Sequence, residues 1–370
     1  MKNRMIKELI IIMTLTVIVI TALILPTSRT DGPASSGDSA PYGMASGFVN
    51  HSDRFIMVGD QDLHDVIAGA PPYSIIVFDR ARTIEVEKTL VIEKPLSLRG
   101  LNARLAAGVG LTPLVVVRAE NVTVTDFELH GNAGTVEYSE RATLLSVRAS
   151  NFVVERGLVT NASKHGIDVR NEGGVVKDGV IRDILARDNI RDGVSIVGTG
   201  GTTKNILIEN VRAYNSSDRG AVEASDGSSN ITIRNVYAED CVYAVDVMHD
   251  HAKPDQVCSN HLVENVHAVR CSRAVRTANV PLGHSGLIVR NIIAENVDLP
   301  VQVSNTAGVI IDGVHVIEHE KGGPLIRITD CRGVRIGNVT FLGGHLDAPA
   351  IVVRNSTRVQ MEDVLDARVE

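Results

Sequence analysis

Tryptophan is absent from the 370 residues, and aromatic side chains make up only 3% of them. A protein that binds single-stranded nucleic acid by base stacking, or neutral sugars on aromatic plates, needs more rings than this. Basic excess is missing as well. Thirty-seven Lys+Arg stand against 44 Asp+Glu, a net charge of −7, which argues against a nucleic-acid partner. Four cysteines without a C-x-x-C spacing exclude a disulfide scaffold. Proline is sparse at 12 residues, whereas glycine reaches 32, as in a chain with many turns. The 44% hydrophobic and 22% charged content supplies a packed core and excludes global disorder.

Residues 1–50 stand apart from the rest. Lys2, Arg4 and Lys7 precede an uncharged run from Leu9 to Leu25. That run sits between the length of a signal-peptide core and that of a membrane span. No clear Ala-x-Ala site follows, so residues 1–25 read as a signal-anchor or a signal peptide. Either one exports the body of the chain, because the basic flank stays inside. Residues 26–50, rich in Pro, Gly, Ser, Ala and Asp, read as a flexible linker, and 51–370 as one domain.

That domain repeats. The unit N-V-x-V-x-N-V-x-A recurs at Asn121–Leu129, Asn205–Ala213, Asn230–Ala238, Gly286–Ala294 and Gly333–Phe341. Its second polar residue gives ten anchors: Asp126, Arg156, Asp183, Asn210, Asn235, Asn265, Asn291, Gly313, Asn338 and Asp363. Each unit predicts a period-2 strand, a one-residue corner, a second short strand and a further strand such as His165–Arg170 or Tyr243–Val247. A unit of about 25 residues with no helix cannot bury its apolar face alone and must stack on its neighbours. The pattern is an all-β, parallel β-helix. It lacks the leucine lattice of a leucine-rich repeat and is too short for a propeller blade. Asp62–Ala68 reads as a short amphipathic helix covering the first coil, and residues 356–370 as one more strand.

The capping helix, the run T-L-V-I-E-K-P-L-S-L-R-G at 89–100 and the N-V-x-V-x-N-V units resemble the pectin-lyase-like right-handed parallel β-helix superfamily. The resemblance covers about residues 55–370. It implies right-handed coils and a carbohydrate-active protein, since members are mostly polysaccharide lyases, glycoside hydrolases, uronate epimerases and phage tailspikes. Fold does not carry chemistry with it, so the site has to be argued from residues.

If Ile167 and Val169 point inward, Asp168 points outward. The same offset in later coils gives the column Asp168, Ser195, Glu223, Asp246, Arg276, Gln302, Arg327 and Val352. Neighbours in it should lie about 4.8 Å apart. The coil at Glu223 carries one extra residue, which loosens its register. Glu223 and Asp246 would be adjacent like charges, so one carboxyl should be raised unless a cation sits between them. Calcium is the candidate metal there, and an acid/base pair is the other reading. After Asp246 comes a long loop, with His249, His251 and Lys253; His284 lies in the loop of the next coil. Such groups act as acids, bases or cation contacts. The catalytic candidates are therefore Glu223, Asp246, His249 and Arg276. Asp168, His251, Lys253, His284 and Arg327 are the substrate-binding candidates.

The family's own motifs match in fragments only. The chain has no Asp-Asp pair, carries Gly283-His284-Ser285 where polygalacturonases carry G-H-G, and has Asp246-Val-Met-His249 where uronate epimerases carry D-P-H. The pectate-lyase W-x-D-H and R-x-P-x-x-R signatures are missing. Cys241 and Cys271 each fall six residues past an anchor and should stack, as a disulfide or as free thiols. Seven N-x-S/T sequons start mostly at corners, where turn chemistry explains them. Two functional readings follow. One is an exported enzyme on an anionic polysaccharide, of lyase, hydrolase or epimerase type, held at the cell surface or released. The other is a non-catalytic surface or polysaccharide-binding solenoid.

Overall fold

The structure is a computed structural model that describes residues 54–109, 113–133, 142–198, 203–248, 257–278, 283–364 and 367–369. The expectations for residues 1–50 lie outside these. Residues 51–370 form one compact unit, a right-handed parallel β-helix.

The corners are where the sequence places them. All ten anchors have left-handed backbone, with φ between 50° and 74°. Asn and Asp tolerate this region because their short polar side chains bond locally, and glycine because it has no Cβ. The left-handed positions recur five residues apart within a coil: Asp178, Asp183 and Asp188, then Asn205, Asn210 and Asn215, then Asn230, Asn235 and Asp240. Their amides bond along the rod. Asn210, Asn235, Asn265 and Asn291 each donate Nδ2 to the residue one coil back, at 2.8–3.0 Å. Six of the seven sequon asparagines have positive φ, which agrees with the turn explanation.

Each coil bends a long strand at these corners and closes with a short strand. The long strands form a 15-stranded sheet and the short ones a 12-stranded sheet, paired in parallel with their neighbours. Inside, like stacks on like. Ile181, Ile208, Ile233, Val263, Val289, Ile311 and Ile336 are successive register partners, and all are fully buried. Each such side chain contributes about 1.5–3 kcal/mol of hydrophobic stabilisation.

The predicted cap is a helix at Leu63–Gly69. The Asp62 carboxylate accepts from the backbone N–H of His64 at 2.7 Å, which fixes its start. Leu63 and Ile67 join the core, and Lys94 donates Nζ to the Ala68 carbonyl at 2.6 Å. Among the described residues no helix is long and apolar enough to cross a membrane. Among the described residues the last coil, Thr357–Glu362 and Ala367–Val369, pairs on one side only. Cys241 and Cys271 are buried thiols, so they take the thiol alternative here.

Candidate functional site

The short sheet carries the site. Asp168, Ser195, Glu223, Asp246, Arg276, Gln302, Arg327 and Val352 are register partners in that order. The extra residue before Glu223 does not shift the register. Flanking Ile167, Val169, Val194, Ile196, Val222, Val245 and Val247 belong to the core, so the column faces away from it. Yet Asp168, Ser195, Glu223 and Asp246 are no more than 3% exposed. Burying carboxylates on an outward face is costly unless ions and hydrogen bonds answer them.

Sequence reasoning missed a second column three residues earlier: His165, Asp192, Gly220, Tyr243 and Arg273. Gly220, Tyr243 and Arg273 are register partners. The two residues between the columns, such as Ala244 and Val245, are both in the core. The chain therefore bends there, and both columns look outward. Tyr243 Oη donates to Asp192 Oδ1 at 2.7 Å. The Arg276 guanidinium lies 4.4 Å above the Tyr243 ring and 2.7 Å from Asp246 Oδ2. The ring crosses the place where Gly220 would carry a Cβ: an added carbon would sit 2.3 Å from a ring atom. Gly220 is small so that Tyr243 can span to Asp192. The signal was present, because in four of these five coils a polar or aromatic residue is followed by a small one and then by Val or Ile.

The cluster closes through further contacts. Ser195 Oγ donates to Glu223 Oε2 at 2.6 Å. Arg219 Nη1 lies 3.9 Å from Glu223 Oε1, and Arg170 Nη2 lies 2.6 Å from Asp168 Oδ2. His165 Nδ1 is 3.2 Å from Asp192 Oδ2.

Burial dominates the titration of these groups. It pushes the Glu223 carboxyl up to about 8, and the nearby Asp192 charge adds to this. It pushes Asp246 to about 7, outweighing the Arg276 ion pair. Asp192 is raised by burial against the Tyr243 donor. His165 is held well below its ordinary value by burial and then by Arg191, so its ring is neutral. Four carboxylates (Asp168, Asp192, Glu223, Asp246) thus share electrostatic range with five cations (Lys164, Arg170, Arg191, Arg219, Arg276). With Glu223 mostly protonated and Asp246 near its midpoint at neutral pH, positive charge is in excess.

That balance bears on the expected calcium. Glu223 and Asp246 are adjacent in register, but each has an arginine beside it. Calcium takes about 6–8 oxygen ligands, and two carboxylates with one serine hydroxyl do not complete that shell. Among the described residues one set, His165, Asp192 and Glu223, offers three ligand atoms within 4.8 Å of one another. Arg191 and Arg219 already act on its carboxylates and oppose a further cation there.

The other candidates divide. Arg327 lies two rungs past Arg276 on the same face. His284 opens the next long strand, buried and in register with Thr306, so it belongs to the long sheet and not to the columns. His249, His251 and Lys253 lie outside the described residues. A buried Ser228, Cys258 and His261 group sits elsewhere. There His261 Nδ1 accepts the Ile231 N–H at 3.4 Å, which leaves its Nε2 to donate to Ser228 at 3.3 Å. A donating imidazole does not activate a hydroxyl, so this group is structural.

Parallel coils stacked in register through a long-strand and a short-strand sheet place the chain in the right-handed parallel β-helix class of folds. No protein-family profile matches the sequence, and no curated protein matches it. Solved structures of that class do match. The A-module of an Azotobacter vinelandii mannuronan C-5 epimerase superposes with a TM-score of 0.65 at 16% identity, over 82% of this chain and 88% of that one. An Aspergillus tubingensis endo-xylogalacturonan hydrolase gives 0.57 at 14% identity, over 79% and 92%. A Yersinia enterocolitica family 28 exopolygalacturonase gives 0.54 at 11%, over 86% and 78%. At these identities the likeness is one of fold.

Proposed function

We propose that this protein is a carbohydrate-active enzyme that processes an anionic polysaccharide at the short-sheet cluster. The observation that carries the reading is the charge balance there: five cations face four buried carboxylates, three of them shifted toward neutrality. Such a site lacks an anion, and a uronate carboxylate fits it. Carboxyls that titrate near 7–8 are also suited to proton transfer at physiological pH. Similarity in fold to an enzyme named as a mannuronan epimerase and to two named as hydrolases of galacturonans supports the same substrate class.

In this reading Arg276, with Arg219 and Arg191, holds the substrate carboxylate and lowers the cost of charge developing beside it. Asp246 and Glu223 then move the proton at the neighbouring carbon, one as base and one as acid. Tyr243 fixes Arg276 by stacking and Asp192 by its hydroxyl. A hydrolase would use the same carboxyl pair as acid and base, at the one-rung spacing of roughly 4.8 Å. His249, His251 and Lys253 would contribute from the loop that follows. The site would work outside the cytoplasm, exported by residues 1–25 and either anchored in the membrane or released.

The test incubates the protein with polymannuronate, polygalacturonate and a neutral glucan in deuterated water. Deuterium at the carboxyl-bearing carbon without chain cleavage means epimerisation. Unsaturated ends that absorb in the ultraviolet mean a lyase, and reducing ends alone mean a hydrolase. Each activity should be lost in Arg276→Gln. The second reading, a binding solenoid, draws on the missing D-P-H, G-H-G and R-x-P-x-x-R motifs. Binding of a polyuronate without any turnover would select it.

A further inference from the structure

The arginines on the site face are not equivalent. Toward the N-terminal end of the rod, Arg118 and Arg148 both pair with Glu172, and Arg170 pairs with Asp168. Each of the three has a carboxylate partner within the chain, Arg118 and Arg148 sharing one. Toward the C-terminal end, Arg273 and Arg327 make no ion pair among the described residues. Arg273 donates Nε to Gln302 at 3.0 Å and reaches the Ser272 carbonyl at 2.6 Å, both neutral acceptors. Burial disfavours its charge, and Arg276 and Arg327 crowd it further, against Asp298 alone on the other side. Arg327 is aligned with Gln302, which is aligned with Arg276. Flanking Ile326 and Ile328 are in the core, so Arg327 faces outward. One rung further the column ends in Val352.

From this asymmetry we infer that the anionic chain leaves the cluster in one direction only, toward the C-terminal coils, with carboxylates on Arg273 and Arg327. The inference rests on the anionic-glycan reading and adds a polarity to it. From Asp246 to Arg327 is three rungs, roughly 14 Å, enough for two to three sugar units beyond the reacting one. Unanswered guanidiniums held on a rigid sheet are preorganised for carboxylates, which they grip through two parallel hydrogen bonds. The arginines at the other end are already occupied and offer no such gain.

The experiment measures affinity for uronate oligomers of two to eight units by calorimetry. It compares the wild type with Arg327→Gln, Arg273→Gln and Arg118→Gln, and thermal unfolding checks that each variant is folded. Affinity should rise with length over the first four or so units. Arg327→Gln should bind long oligomers roughly three- to tenfold more weakly and the dimer equally well. Arg118→Gln should match the wild type at every length. If Arg273→Gln fails to fold, Arg327→Gln carries the test alone. The inference is overturned if Arg118→Gln weakens binding and Arg327→Gln does not. It is also overturned if oligomers bind and no variant changes the length dependence. A wild type that binds no uronate oligomer overturns the anionic-glycan reading itself, a separate and recognisable result.

Discussion

Glutamine in place of Glu223 is expected to make the protein harder to unfold at pH 8 and to change little near pH 4.5. In the fold this carboxyl ionises at about 8, whereas a free glutamate does so near 4.5. Between these values the unfolded chain has released a proton that the folded chain keeps. The folded state then binds more protons, so stability falls as pH rises through this window. It is intact below about 4.5, and the loss is complete above about 8. Three and a half pH decades at about 1.4 kcal/mol each bound the loss near 5 kcal/mol. Asp192 shares the same buried site, so roughly 3–5 kcal/mol is the range to test. Glutamine keeps a carbonyl oxygen for the Ser195 hydroxyl and carries no charge. For a domain of this size about 1 kcal/mol moves the midpoint by 1–2 °C, which gives roughly 4–8 °C at pH 8. Calorimetric melts of both proteins at pH 4.5, 6 and 8 decide the matter. Melting curves that differ by the same amount at every pH would refute the reasoning, because the carboxyl would then be titrating as it does in water.

Other outcomes follow from the same contacts. Tyr243→Phe removes a hydrogen bond to a buried carboxylate and should cost roughly 1.5–3 kcal/mol in urea unfolding. Gly220→Ala should cost more, because the new carbon meets the Tyr243 carbonyl at 2.0 Å and its ring at 2.3 Å; equal stability of the two variants would show that the ring has another way across. Asn235→Ala loses ladder bonds on both sides and keeps a left-handed φ of 56°, so it should be about 1 kcal/mol less stable than Asn235→Gly. Arg276→Gln should lower kcat/KM on a polyuronate by about a hundredfold or more, read from initial rates at saturating and limiting substrate.

The fold was legible because its local chemistry is redundant. An Asn, Asp or Gly at nine of the ten anchors, flanked by alternating Val and Ile, specifies strand, bend and strand without help from distant residues, and all ten, Arg156 included, are left-handed. The outward column was legible for the same reason, since period-2 alternation from Ile167 and Val169 fixes Asp168. His165, Asp192 and Tyr243 were not. Alternation predicts that they point inward, and only the bend at pairs such as Ala244-Val245 turns them out. That bend breaks the period, and its trace in the sequence is a small residue, Gly or Ala, ahead of the first inward Val or Ile. The arginine partners were hidden too, because Arg219 and Arg170 reach the cluster through long side chains whose direction no spacing rule gives.

The left-handed positions five residues apart have a consequence for how such a chain can change. From the corner at Asn161 to that at Asp178 is 17 residues; from Asp240 to Asn260 it is 20, and from Asn296 to Gly308 it is 12. The stretch spanning the three corners of a coil does not vary, so the differences in coil length lie in the segment that holds the short strand and its loops. Two walls of the rod are therefore written in fixed metre, and the third is free to gain or lose residues without disturbing its neighbours. On the proposed function, a new substrate specificity needs changes only along that wall, coil by coil, with a scaffold that does not have to be refolded to receive them.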